Sequence, residues 1–133
     1  MTGEQTSGRL TLFEAAVPPQ GGPPPHIHHR EDEFYYILEG TFEIFDGNQT
    51  FLVDAGSFVM IPQGTLHAYK NVGESVGKFL TFFTPAGFEQ LFFEVGQPAR
   101  PGEMSPPVQP EEVAKILHLA PQYHAEVPLP AEQ

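Results

Sequence analysis

The chain has no cysteine and no tryptophan, and only six of its 133 residues are lysine or arginine, against seventeen aspartates and glutamates. Each shortage narrows what the protein can be. Without cysteine there are no disulfides, no thiolate metal sites and no cysteine nucleophile, so any bound metal must take nitrogen and oxygen ligands. A formal net charge of −11, with no cluster of basic residues, makes nucleic acid and anionic membranes poor partners. No apolar run reaches the roughly 20 residues that cross a bilayer, and residues 1–8 lack the charged-then-apolar pattern of a secretion signal. The expectation is one soluble, cytoplasmic domain over residues 1–133.

What is abundant points to strands. Fifteen prolines and thirteen glycines punctuate the chain, as suits many short strands joined by turns. Twelve phenylalanines indicate an aromatic-rich interior. β-type segments are predicted over 9–17, 33–39, 41–45, 49–53, 57–61, 66–72 and 76–83, separated by the loop 18–25, Gly40, the hairpin signal Asp46-Gly47-Asn48 and the turn Pro62-Gln63-Gly64. With no helix between strands, the fold class is all-β: an antiparallel sandwich or barrel with its core over about 9–84. The pattern then changes. Phe88, Leu91, Phe92 and Val95 repeat at helical spacing up to Gly96, and a second helix is predicted to open at Pro110 with Glu111 and Glu112 in its first turn. A proline-broken connector over 97–109 joins them, and 122–133 reads as an extended tail.

Two segments carry the chemistry. The first holds His26, His28, His29, Glu31, Asp32 and Glu33, and the second, from Gly56 to Asn71, supplies His67. In a strand His26 and His28 face the same way and His29 the opposite way, so His26 and His28 form the chelating pair. Glu33 lies at an odd offset from His28, and a break over 29–32 is needed to turn it inward. His29, His118 and His124 read as surface or packing residues, and Glu31 and Asp32 as a solvated turn. Three imidazoles and a carboxylate converging in a barrel suit one divalent transition metal per chain: Mn, Fe, Co, Ni, Cu or Zn. Glu33 can serve both as ligand and as general base. Because imidazole must be neutral to ligate, metal retention is expected to weaken below roughly pH 6.

These residues also form two spaced motifs. His26, His28, Glu33 and Gly40 stand with four residues between His28 and Glu33 and six between Glu33 and Gly40. Gly56, Pro62, Gly64, His67 and Asn71 fill every position of a second motif. In both, the chain resembles the cupin superfamily. One position departs: the family often has a glycine six residues before the first histidine, where this chain has Gln20, so the shape of the entry loop is left open.

The resemblance implies a jelly roll, or double-stranded β-helix, with one or two short helices after it, over about 85–133. It also implies His26, His28, Glu33 and His67 as metal ligands. The run from Pro23 to His29, then Phe34-Tyr35, is similar to small single-domain cupins often likened to quercetinases. That likeness implies a metal-dependent dioxygenase acting with O2 on a phenolic or enolic compound, with Glu33 taking the substrate's proton. Tyr35, Tyr69, Phe42, Phe51, Phe58 and Phe82 are then candidates for the aromatic wall. The alternatives are a non-oxidative isomerase, decarboxylase or lyase, or a binding module without turnover. The Phe88/Leu91/Phe92/Val95 face, and the habit of cupins to pair, lead us to expect a homodimer.

Overall fold

Turns fall where glycine, proline and aspartate place them, and strands run between. A computed structural model describes residues 1–97 and 109–128. In it β1 spans Thr11–Val17, β2 Ile27–His28, β3 Asp32–Glu39, β4 Thr41–Phe45, β5 Thr50–Asp54, β6 Phe58–Ile61, β7 Ala68–Asn71 and β8 Gly77–Thr84. Helices α1 (Glu89–Val95) and α2 (Pro110–Leu119) follow, then a 3-10 turn (Ala120–Tyr123) and β9 (Ala125–Glu126). Gly40 reverses the chain between β3 and β4 at φ +92°, an angle that residues bearing a Cβ avoid. The β4–β5 hairpin is held by Asp46, whose Oδ1 accepts the backbone N–H groups of Asn48 and Gln49, both at 3.0 Å.

The strands form a four-stranded sheet in the order β1-β8-β3-β6, a three-stranded sheet β5-β4-β7, and the pair β2-β9. All strand pairs among the described residues are antiparallel. Val17, Tyr35, Ile37, Val59, Ile61 and Phe79 from the larger sheet meet Phe42 and Ile44 from the smaller one in a single buried cluster. The two sheets therefore pack face to face, as a jelly roll requires.

Asn71, the last residue of the second motif, is fully buried and ties this sandwich together. Its side-chain amide donates to the carbonyls of Val17 and Ser75, both at 2.9 Å, and its Oδ1 accepts the Gly73 N–H. Its own carbonyl accepts the Gln20 N–H at 2.8 Å. Gln20 has φ +67°, so the entry loop keeps the left-handed turn that glycine usually makes, with glutamine in the place.

A second apolar cluster, built on Phe83, Phe88, Leu91, Leu119, Ala120 and Ala125, packs the helices against the end of β8. Phe88 and Leu91 are thus used within the chain, and Phe92 and Phe93 are the large apolar residues of this segment left exposed. The connector expected over 97–109 falls almost entirely outside the described residues, as does Leu129. The tail is not merely extended. The 3-10 turn swings it back so that Ala125 pairs with His28 and Glu126 with Ile27. The His29–Glu126 contact beside this pairing, at 2.9 Å, is half exposed on both sides. Glu126→Gln is accordingly expected to change stability by no more than about 0.5 kcal/mol, read by urea denaturation. No helix among the described residues is long and apolar enough to cross a membrane.

Candidate metal centre

One backbone bridge brings the two motifs together. His26 and His67 exchange N–H···O=C hydrogen bonds at 2.9 Å in each direction, so their side chains leave the sheet side by side. His28, two residues on, points the same way, and the three rings lie 4.2 to 5.4 Å apart, centroid to centroid. His29 points outward, as alternation requires, and its side chain is 51% exposed. The chain then breaks before β3, and Glu33 is the first residue of that strand to face the interior, where it is 5% exposed. Asp32 holds this break in place: its Oδ1 accepts the N–H of Gln63 at 2.9 Å, binding the first motif to the turn of the second.

One ligand atom from each of His26, His28, Glu33 and His67 lies within 4.8 Å of all the others. Glu33 Oε1 is 2.8 Å from His67 Nε2 and 3.7 Å from His28 Nε2. Adjacent ligands on a metal bound at about 2.1 Å sit about 3 Å apart, so the cluster needs little movement to close on one ion. The outer nitrogens are placed for it. His26 Nδ1 lies 3.1 Å from the Pro24 carbonyl and His67 Nδ1 2.8 Å from the Thr65 carbonyl. With protons on Nδ1, both rings aim an Nε2 lone pair at the centre.

His67 gives the sharpest test of fit. Both of its nitrogens face acceptors, the Thr65 carbonyl and Glu33 Oε1. A neutral imidazole has one N–H and cannot donate to both. A cation held by His67 and Glu33 would satisfy both groups without a second proton on the ring. His28 Nδ1 is buried with no hydrogen-bond partner among the described residues, its ring lying between Phe83 and Phe88 at 5.1 and 4.3 Å. An unsatisfied buried group of this kind costs about 1–3 kcal/mol, which a bond at the opposite nitrogen would offset. The residues fit a divalent cation.

Electrostatics agree. Burial pushes the His28 imidazole from 6.5 down to about 3, against the pull of Glu33. Burial and His67 lower His26 as well. Burial alone would raise Glu33, but the His67 hydrogen bond and the surrounding imidazoles outweigh it and hold the carboxyl below its usual range. Neutral His26 and His28 rings beside an ionised Glu33 are protonation states that favour binding a metal. His28, Glu33 and His67 are buried and His26 is half-buried, so the centre opens to solvent on the His26 side.

The candidate aromatic wall divides. Tyr35 reaches the centre, its hydroxyl donating to Glu33 Oε1 at 2.9 Å. Tyr69 lies against Tyr35 at 5.8 Å, its phenol pushed up to about 12 by burial and by Glu33. Phe42 is 0% exposed and packs on Tyr69 and Phe79, filling the core beneath, and Phe51 edges the same cluster. Phe58 and Phe82 do not belong to the wall. They share the outer face of the large sheet with Phe34, and Phe58 is 61% exposed, because their strand positions are of the opposite parity to the inward residues Val59 and Phe83. Glu31 is not in a solvated turn; it is 2% exposed, with Oε2 unpartnered among the described residues. Thr81, Phe83 and Phe88 join the centre beyond the residues expected there. Thr81 donates to Glu33 Oε2 at 3.2 Å, and a threonine at an inward position between Phe79 and Phe83 was its signal in the sequence.

A cupin-domain family model matches residues 13–83. The chain belongs to the cupins. Solved structures of similar fold include a protein from Thermus thermophilus, 27% identical over 59% of this chain and 74% of that one, with a TM-score of 0.56. A predicted oxalate decarboxylase from Thermotoga maritima is 24% identical over 64% of this chain and 75% of its own, with a TM-score of 0.61. KdgF from Halomonas sp. is 20% identical over 62% and 74% of the two chains, with a TM-score of 0.59. Among curated proteins, none matches the sequence significantly. This cupin therefore shares its fold with these structural neighbours, and the reaction must be argued from the site.

Proposed function

We infer that this cupin is a metal-dependent dioxygenase of a small phenolic or enolic compound, with one divalent transition metal per chain on His26, His28, Glu33 and His67. The observation that carries this reading is the cluster itself: three imidazoles and one carboxylate within 4.8 Å, three of the four side chains buried and the fourth at an open side. Bound there, the metal supplies a Lewis acid with further positions for oxygen donors. The protein's own groups do the rest. The half-buried His26 side admits the ligand, and the dry remainder of the site strengthens every charge interaction made within it. Glu33 is ionised and receives the hydroxyl proton of a phenol or enol. Its Oε2, which accepts only the long Thr81 contact among the described residues, is the less encumbered atom. Tyr69, half-buried against the fully buried Tyr35, gives an aromatic side against which a flat substrate can lie.

The test is oxygen consumption by protein purified without added metal, screened over phenolic and enolic compounds. Uptake that stops with a chelator and returns with one transition metal is the expected result. Conversion of a substrate without loss of O2 would replace this reading with the non-oxidative one.

A further inference from the structure

Glu33 is held by two hydroxyls that the metal motif does not include. On β3, Glu33 and Tyr35 are two residues apart and both face inward; on β8, Thr81 is the register partner of Tyr35. The three side chains therefore meet at one corner of the sheet's inner face. Tyr35 Oη donates to Glu33 Oε1 at 2.9 Å and Thr81 Oγ1 donates to Oε2 at 3.2 Å. Tyr35 and Thr81 are 1% and 2% exposed, and they stand where their inward neighbours Ile37, Val59, Ile61, Phe79 and Phe83 are all apolar. A buried hydroxyl needs a partner, and here each has one oxygen of the same carboxylate.

We propose that Tyr35 and Thr81 are positioning residues of the metal centre, a hydroxyl clamp that fixes Glu33 so that Oε1 alone is presented to the ion. This rests on Glu33 being a ligand. A glutamate has three side-chain torsions and can bind through one oxygen or both. Holding Oε1 on the phenol and Oε2 on the threonine removes that freedom before the ion arrives and leaves Oε1 facing His67 and His28. Because the ladder between β3 and β8 sets the spacing of all three groups, the clamp belongs to the rigid sheet and not to a loop.

The experiment uses the full chain stripped of metal and titrated with Co2+, reading affinity and visible absorption. The wild type binds about one Co2+ per chain. Tyr35→Phe keeps the ring and loses only the hydroxyl; Thr81→Val keeps the shape. Both are expected to bind Co2+ about 10-fold or more weakly, with displaced absorption bands, while melting within a few degrees of the wild type. If both variants bind within about twofold of wild type and give its spectrum, the two hydroxyls only fill space and the clamp is overturned. If the wild type itself takes up no Co2+, the metal reading falls, and the clamp with it.

Discussion

Replacing His67 with alanine reduces bound metal from about one ion per chain to less than a tenth of that, and His28→Ala does the same. Each substitution removes one of four donors from a centre whose other members are fixed by backbone and sheet. The loss should exceed the 10–100-fold that follows removal of a supporting hydrogen bond, since a direct ligand bond is lost. His29→Ala, one residue from His28 but turned outward, leaves metal content unchanged. Elemental analysis of the purified proteins checks all three, and full occupancy in His67→Ala would refute the ligand assignment. The same bond links metal to stability: with free ion at about 1,000 times its dissociation constant, removal lowers stability by about 4 kcal/mol. Protonation of His26 and His28 should begin below the pH near 6 expected of an ordinary imidazole. Burial already holds His28 neutral down to about pH 3 and lowers His26, so protons compete for these ligands only in more acid solution.

Why the strands and the ligand set could be read from residues, and other features could not, has a physical reason. Strand identity lies in local signals. Gly40 and Asp46 turn the chain wherever the rest of it goes, and β4 spans Thr41–Phe45, the range that alternation marks. The ligand set needed only parity and spacing, since His26 and His28 must share a face and a break must turn Glu33. What local pattern does not contain is which face of a strand becomes the inside. Phe58 and Phe82 look as suitable for a pocket as Tyr35, and only the pairing of β3 with β6 and β8 sends them outward. Glu31 departs from the expected solvated turn for a related cause, because a charged run normally marks such a turn. Here the residue is 2% exposed, with Glu89 of α1 near enough to raise its carboxyl further. The return of β9 to β2 depends on a left-handed His124 at φ +58°, a conformation histidine does not announce.

The metal-free protein should have a stability maximum set by two opposed burials. His28 titrates near 3 when folded and near 6.5 when unfolded, so between those values the unfolded chain binds the extra proton. Stability is then lost as pH falls from 6.5 toward 3, by up to about 4–5 kcal/mol at about 1.4 kcal/mol per pKa unit. His26 and Glu33, both lowered in the fold, act in the same direction. Glu31 acts in the other. Burial, reinforced by Glu33 and Glu89 and opposed by Arg30, raises it from 4.5 to about 7. Its contribution is fully present below pH 4.5 and is lost as pH rises through 7. Glu31→Gln carries the neutral form at every pH, and it should stabilise the stripped protein at pH 8 by about 2 kcal/mol while changing little at pH 4.5. Urea denaturation of the two proteins at both pH values decides it. A variant no more stable than wild type at pH 8 would mean that Glu31 Oε2, unpartnered among the described residues, is compensated in the folded chain. The same series run with saturating metal should flatten the acid limb, because an ion on His28 and Glu33 excludes the protons that produce it.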